Sequence, residues 1–397
     1  MSKLDQLIKE LCPDGVEFKP IKGVYERLHG TSITAKKMKE IENPDGDIRI
    51  FAGGKTVINA RINDIPKANI TTVPAVLVQS RGVIDFIYYE KPFTFKNEMW
   101  AYTAEDKDSV KFLYYVLKNN ANHFREAASG MGSLPQISLR ATEEFKIPVP
   151  PIEVQREIVR ILDNFTELTA ELTAELTARQ QQYKYYSKYL LCHAEGAVDT
   201  PIEELGKWQG GKTPSMANPD YWNNGSIPWI SSKDMKVAVL EDTQDHITNE
   251  AISNGGMKLL PAGVTAIVTR SGILKHTFPV AYVPVPCTIN QDIKALIVKE
   301  DVDSRFAALA IQAFSDDIRV ATKKQGGTVD SLEFGKILSF KIPVPPLDEQ
   351  LRVVQALDRF DSICNDIASG IPAEIEARQK QYEYYRDKLL TFKEKEA

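Results

Sequence analysis

Three constellations in the sequence have residue types and spacing that could do chemistry. Residues 206–213 read GKWQGGKT, a letter-for-letter match to the phosphate-loop pattern G-x-x-x-x-G-K-[ST]. In such a loop backbone N–H groups cradle phosphates while the lysine, here Lys212, neutralises them. The context opposes it. VDTPIEEL precedes in place of a buried apolar strand, and Pro214 and Pro219 interrupt the helix that should follow. VAVLED at 237–242 imitates a metal-binding strand end but comes too early. The related run Gly53-Gly54-Lys55-Thr56 lacks the first glycine. Asp220 after Pro219, then Asp234-Met235-Lys236, fits a PD…DxK arrangement in which two carboxylates and a lysine hold Mg2+ and activate water. Asp220 sits in ANPDYWNNG, however, a turn-rich run where Asn and Asp are expected for backbone reasons. Residues 218–221, NPDY, lack the second proline of an amino-methyltransferase [ND]PP[YF] signature. Five scattered His and four separated Cys (Cys12, Cys192, Cys287, Cys364) with no CxxC pair argue against a zinc site and a disulfide framework.

Recognition chemistry remains. Cationic and amide side chains stand beside glycine turns in two regions. The first holds Lys36, Lys37, Lys55, Gln79, Arg81, Lys96 and Asn97. The second holds Lys212, Ser231, Lys233, Arg270, Lys275, Asn290 and Gln291. Arg and Lys fork onto guanine edges, and Asn and Gln pair with adenine edges. The tyrosine clusters, Tyr183, Tyr185, Tyr186 and Tyr189, then Tyr382, Tyr384 and Tyr385, have the rings to stack on bases. Their place on predicted helices favours packing instead.

These residues are organised by an internal duplication. FKIPVPPIEVQREIVRILDNF (145–165) recurs as FKIPVPPLDEQLRVVQALDRF (340–360), and ARQQQYKYYSKYLL from Ala178 recurs as ARQKQYEYYRDKLL from Ala377. A weaker match pairs DGVEFKPI from Asp14 with EGAVDTPI from Glu195. A period this long means duplicated domains and not a solenoid. The order is variable head, shared helix, variable head, shared helix. We expect boundaries at 1–150, 151–195, 196–345 and 346–397. Pro148, Pro150 and Pro151 bar a helix until about residue 152. Apolar residues then recur on one face at Ile158, Leu162, Phe165, Leu168, Leu172 and Leu176, the last three in the repeat TELTAELTAELT. The second copy carries Val353, Leu357, Phe360, Ile363 and Ile367, then breaks at Gly370-Ile371-Pro372. The stripes predict two long antiparallel coiled-coil helices with pseudo-twofold symmetry, separating two globular mixed α/β heads of an α+β fold. Strands are expected at 75–79, 84–89, 264–269 and 280–283, and helices at 109–119 and 304–314.

The chain has 397 residues, long enough for two or three units, with 43% hydrophobic and 26% charged residues. No stretch approaches the roughly 18 apolar residues of a membrane span. The first 15 residues, MSKLDQLIKELCPDG, carry no export signature, so a reducing, cytoplasmic setting is expected. Formal charge is −5, from 49 Lys+Arg against 54 Asp+Glu. Residues 14–150 hold 19 basic and 17 acidic side chains, and residues 201–345 hold 15 and 16. With no long basic tract, affinity for nucleic acid must come from local patches or be shared with a basic partner.

Together the duplicated KIPVPP-x-x-x-Q openings (with Gln155 and Gln350), the duplicated ARQxQYxYY ends and the TAEL-type repeat resemble the specificity subunit of type I restriction–modification systems, in its type IC form. In the second head GGKTPS (210–215), YWNNGSIPWIS (221–231) and INQD (289–292) are similar to target-recognition domains of that family. The resemblance implies that each head reads one half of a split, asymmetric double-stranded DNA target. It implies that the helices set the gap and dock two methyltransferase subunits, and that motor–nuclease subunits complete the complex. S-adenosylmethionine, ATP and Mg2+ would then belong to the partners, with no cofactor or catalysis on this chain. The alternatives from the residues alone are a stand-alone Mg2+ nuclease (Asp220, Asp234, Lys236) and an assembly scaffold without DNA contacts.

The helical repeat carries a quantitative expectation. One added TAEL unit lengthens a helix by about 6 Å and turns it about 40° beyond a full turn. A base pair rises about 3.4 Å and turns about 35°. The gap in the methylated sequence should therefore grow by roughly one or two base pairs with both half-sites unchanged, as read by methylation mapping of the insertion variant. An unchanged gap would make the repeat a mere solvated helix face.

Overall fold

The computed structural model describes residues 3–54, 56–128, 134–324, 329–365 and 370–396, and for 362–365 the backbone alone. Lys55, Ile367 and the Ile363 side chain lie outside the described set. Two compact units are present, Met1–Leu172 with Ile375–Ala397, and Thr173–Glu374.

The first unit runs α1 (Lys3–Leu11), β1 (Glu17–Pro20), β2 (Glu26–Leu28), α2 (Ala35–Ile41), β3 (Ile48–Phe51), β4 (Val57–Ala60), β5 (Ala75–Gln79), β6 (Asp85–Tyr89), β7 (Phe93–Phe95) and β8 (Trp100–Thr103). It continues with α3 (Lys107–Asn119), α4 (Ala121–Glu126), α5 (Leu139–Glu143), β9 (Lys146–Val149) and the start of α6 (Ile152–Cys192). β5 is apolar up to its last residue, Gln79, and buried at all five residues, because it lies inside the antiparallel sheet β2-β8-β5-β6 and α3 packs on it. α3 starts where the Asp106 carboxylate accepts from the N–H groups of Asp108 and Ser109, and it buries Val110, Leu113 and Leu117 on one face. A second sheet, β4-β3-β7, has one parallel pair, β3 with β7. α2 closes it with Met38 and Ile41. A ribbon pairs β1 with β9.

The second unit holds β10 (Val198–Pro201), β11 (Gly206–Gly210), β12 (Ile227–Ile230), β13 (His246–Ile247), α7 (Asn249–Ser253), β14 (Val264–Val268), β15 (Val280–Val283), β16 (Thr288–Ile289) and β17 (Ile293–Val298). After these come α8 (Ser304–Ala313), α9 (Ser315–Thr322), α10 (Phe334–Leu338), β18 (Lys341–Val344) and α11 (Leu347–Asn365), and α12 (Ile371–Leu390) ends the helical part of the chain. Its sheets are β10-β18, β11-β17-β14-β15 and β13-β12-β16, again with one parallel pair, β12 with β16. Strand for strand, the described parts of the two heads share pairing and direction. Heads whose sequences look unrelated are therefore two copies of one topology.

That equivalence corrects the glycine pairing expected from sequence. Gly210 is the last residue of β11 and not a loop residue. Gly211 follows the strand equivalent to β2, so its counterpart is Gly30, while Gly53-Gly54 follows β3 and matches the turn after β12. Both glycines lie where one strand end crosses another. A Cβ on Gly30 would meet the Phe95 carbonyl oxygen at 2.6 Å, and one on Gly211 would meet that of Ile289 at 2.0 Å. The phosphate-loop match fails for the same reason: residues 206–210 are extended and paired to β17, and a strand cannot wrap a phosphate.

The long helices are built into the heads. Ile158 and Leu162 on α6 are buried in the first head's core, which also takes Leu390, Leu389 and Tyr382 from the end of α12. Val353 and Leu357 on α11 are buried in the second head's core, with Leu191, Leu190 and Tyr183 from the end of α6. So the start of one helix and the end of the other meet in each core. This differs from a helix-to-helix seam running through every stripe residue: Phe165, Leu172, Leu176 and Phe360 are half-buried and Leu168 is 44% exposed. Helix-to-helix contacts among the described residues include aromatic pairs, Phe165 stacking on Tyr385 at 5.6 Å in the first unit and Tyr183 against Phe360 at 5.8 Å in the second. The repeated glutamine fixes each helix start. Gln155 Nε2 donates to the Pro150 carbonyl at 2.7 Å and Gln350 Nε2 to that of Pro345 at 2.9 Å. Two turns on, Asp163 accepts from Lys111 Nζ at 2.8 Å and the Tyr115 hydroxyl at 2.6 Å. At the same place Asp358 takes Arg305 Nε at 3.0 Å and Nη2 at 2.8 Å. Burial, then the Asp163 carboxylate, pushes the Tyr115 hydroxyl far up, so it remains a donor.

α1 has no counterpart ahead of the second head. It is pinned to α6 by Glu157, whose side chain is 4% exposed and takes Arg160 Nη2 at 2.6 Å and Lys3 Nζ at 2.9 Å. The Arg160 hydrogen bond leads in holding that carboxyl down to about 2. A carboxyl depressed on folding contributes stability that is present above its unfolded value near 4.5 and is lost as pH falls toward 2. Glu157→Gln should cost about 2 kcal/mol at pH 7, with the gap from the parent closing as pH falls from about 5 to about 2 in denaturant titrations. A gap independent of pH would remove the charge from the account.

Candidate functional site

Turns at equivalent strand ends converge in each head. In the first, Gln79 closes β5 with its side chain buried, and Nε2 donates to the Gly54 carbonyl at 2.7 Å. The Ser80 hydroxyl donates to the Glu98 carbonyl at 2.6 Å, and Gly53 N–H reaches Glu98 Oε1 at 3.4 Å. Glu98 also pairs with Lys96 at 3.0 Å. The segment 135–137 clasps the turn from the other side: Gly82 N–H donates to Pro135 at 2.9 Å and Ile137 N–H to Ser80 at 3.0 Å. Three turns, after β3, β5 and β7, thus form one polar surface on which Arg81 and Asn97 are exposed.

The second head repeats the construction. The Thr269 hydroxyl donates to the Asp292 carbonyl at 3.0 Å. Ser271 N–H donates to Asp330 at 3.0 Å and Leu332 N–H to Thr269 at 3.0 Å. Arg270 Nε pairs with Asp292 Oδ1 at 2.7 Å. Asn290 is buried, with Oδ1 accepting from Asp292 N–H at 3.0 Å. Gln291 is exposed and accepts from the Thr213 hydroxyl at 2.5 Å, which ties the turn after β16 to the one after β11. Lys212 lies on that tied turn, its side chain exposed and its carbonyl taking Trp229 Nε1 at 3.1 Å. On the turn after β12, Lys233 pairs with Asp245 at 2.6 Å. Hydrogen bonding to Asp245 raises its ammonium above the usual lysine range, so it stays charged.

The structure sorts the residues chosen from sequence. Arg81, Asn97, Lys212, Lys233, Arg270 and Gln291 lie exposed on the converging turns, and Lys96 is half-buried beside Glu98. Gln79, Ser231 and Asn290 are buried and spend their polar atoms inside the turns. Lys36 and Lys37 sit on α2, and Lys275 ends a short 3-10 turn over Gly272–Lys275. Ser80, Thr269, Glu98 and Asp292, none of them among the site residues expected from sequence, hold the turns. Their one sequence signal is a hydroxyl–arginine pair after an apolar strand in both heads.

The exposed guanidinium, ammonium and amide groups on these turns are donors of the kind that recognition of a ligand uses. Both carboxylate oxygens of the buried Asp234 serve the turn: Oδ2 takes the Ser231 N–H at 2.9 Å and hydroxyl at 2.7 Å, and Oδ1 takes Gln244 N–H at 3.1 Å. Asp220 lies on a separate short turn, Pro219–Tyr221. Among the described residues no group of three or more His, Cys, Asp and Glu is placed to hold a metal ion, and no helix is long and apolar enough to cross a membrane. Of the tyrosines, Tyr183 and Tyr382 pack on the heads while Tyr185, Tyr186, Tyr189 and Tyr384 are exposed.

Comparison with known proteins places this geometry. The family model for the type I restriction modification DNA specificity domain matches twice, over residues 13–179 and 195–377. The chain is 39% identical over 405 residues to the EcoR124I/EcoR124II type I restriction enzyme specificity subunit of Escherichia coli, covering 99% of this chain and 98% of that one. Among solved structures, an S subunit of a type I restriction–modification system from M. genitalium aligns with a TM-score of 0.57 at 16% identity, over 95% of this chain and 96% of that one. A chain from a study of assembly and conformational transition in the type I R-M system aligns at 0.61 and 14% identity, over 95% and 98%.

Asp234→Ala should leave three donors without their acceptor, the two on Ser231 being buried, and lower unfolding stability by about 2 kcal/mol, measured in urea. A nuclease metal ligand would behave oppositely, with cleavage lost and stability kept.

Proposed function

The chain belongs to the family of type I restriction–modification DNA specificity proteins, and on that premise we propose how its parts divide the work. Residues 1–150 and 196–345 are two target-recognition domains, each reading one half of a split, asymmetric sequence in double-stranded DNA. Residues 151–195 and 346–397 are the spacer that sets the gap and docks two methyltransferase subunits. Motor–nuclease subunits join that core. Methyl transfer to adenine, with S-adenosylmethionine, and cleavage driven by ATP and Mg2+ take place on those partners, and this chain supplies no catalytic group.

One observation carries this division. The two heads have the same strands, pairings and clasped turns, yet most exposed side chains on those turns differ. A common frame with different fingers is what two unlike half-sites require. Exposed guanidinium, ammonium and amide groups in each head supply the donors that base edges and phosphates accept. The chain's acidic balance fits a clamp whose positive charge comes largely from the partners.

Methylated adenines should be mapped in cells holding a methyltransferase known to be active and to bind this chain, with and without the gene. A split motif with a fixed gap should occur only with the gene. Exchange of residues 210–292 should change one half of that motif and leave the other. Methylation that ignores the gene would overturn the assignment.

A further inference from the structure

The two heads hold one arginine each at the same place, and we infer that Arg81 and Arg270 grip the DNA sugar–phosphate backbone at matching points of the two half-sites. The inference rests on the functional division proposed above and extends it to single residues.

The match is made by main-chain geometry. In each head the arginine follows the central strand of the four-stranded sheet. The residue before it accepts a backbone hydrogen bond at 3.0 Å, from Ile137 in one head and Leu332 in the other. The residue after it donates one, to Pro135 at 2.9 Å and to Asp330 at 3.0 Å. Each arginine forms the same isolated antiparallel bridge, Arg81 with Gln136 and Arg270 with Ser331. The hydroxyl before it ties to the carbonyl of an acidic residue in the turn opposite, Glu98 or Asp292. The two Cα atoms are therefore held alike within their own heads.

Around them the side chains have changed: Gln79 against Val268, Gly82 against Ser271, Lys96 against Asn290. Four kinds persist: a hydroxyl, an acid, an amide and the arginine. The amide is Asn97 against Gln291, and in the second head it is engaged by the Thr213 hydroxyl. The hydroxyl is explained by its bond to the opposite carbonyl. The acid serves different partners, Glu98 taking Lys96 and Asp292 taking Arg270. The arginine is exposed in both heads, and among the described contacts its side chain pairs with an acid only in the second, Arg270 with Asp292, so no shared internal contact explains it. A side chain kept in kind and place, on surfaces that otherwise diverge, answers to the part of the ligand that the half-sites share. Two different base sequences share their phosphates. Arginine suits that acceptor, because its planar fork matches two phosphate oxygens and keeps its charge at any working pH. In the second head Asp292 engages Nε, which orients the guanidinium and leaves the terminal fork to the DNA.

The test uses the complex of this chain with its methyltransferase subunits, on a duplex carrying the mapped motif and on a scrambled duplex, across a salt series. Arg81→Ala and Arg270→Ala should each weaken both duplexes by a similar factor, roughly tenfold, and reduce the salt slope by about one. The double variant should reduce it by about two, with the methylated motif unchanged. Arg81→Lys and Arg270→Lys, which keep the charge and the fold, should retain most of the slope. A changed base in the motif of either alanine or lysine variant would overturn the inference in favour of base reading. Unchanged affinity and slope would overturn it outright. Failure of the parent complex to give a split motif would instead remove the functional division itself, so the two failures are told apart.

Discussion

The burial of each long helix's first turns in the head it leaves is the constraint on which the other features rest. Ile158 and Leu162, and at the same places Val353 and Leu357, are core residues of their heads and not of an independent coiled coil. Each such side chain contributes about 2 kcal/mol by leaving water. Asp163 and Asp358 then tie the same stretch to α3 and α8. A helix held this way cannot swivel on its head. The same cores also take the far end of the other helix, through Leu390 and Tyr382 in one and Leu191 and Tyr183 in the other. Both ends of each helix must fit a head, which accounts for near-identity at the openings and closings of the repeat and for laxity between them.

Much of this architecture was legible in sequence because it rests on periodicity and duplication. The sequence places the strands at 75–79 and 280–283 to the residue, and Pro148, Pro150 and Pro151 mark the start of the first long helix at Ile152. The leucine stripe was legible too, but its partner was not. Period tells which face is apolar and not what covers it, so Ile158 and Leu162 read like Leu168 although only the first two are buried.

The equivalence of the heads was hidden for a different reason. Strand pairing is made by main-chain atoms, which leave little mark on residue identity. In sequence GGKT at 53–56 therefore pairs with GGKT at 210–213, whereas in the fold Gly211 corresponds to Gly30 and the turn after β3 to Ser231 and its neighbours. The candidate surface was half legible on the same grounds. Exposed donors such as Arg81, Asn97 and Gln291 were found by type. Gln79, Ser231 and Asn290 have the same types but point inward, because each supplies a hydrogen bond that a tight turn lacks. Glu98 carries no signal of its own in the sequence, and Asp292 enters there only as the last residue of INQD (289–292).

The clasp around each arginine has a bearing on how such a molecule changes over generations. Its bonds run through amides and carbonyls, which every residue except proline possesses in full. The projecting side chains are close to passengers on that frame. Mutation can therefore wander through many combinations at the turn tips without the lineage passing through misfolded ancestors. A new preference can arise by drift in one head while the other head still serves. Buried Gln79, Ser231, Asn290 and Asp234 mark the edge of that freedom, the points where altering the surface begins to undo the frame.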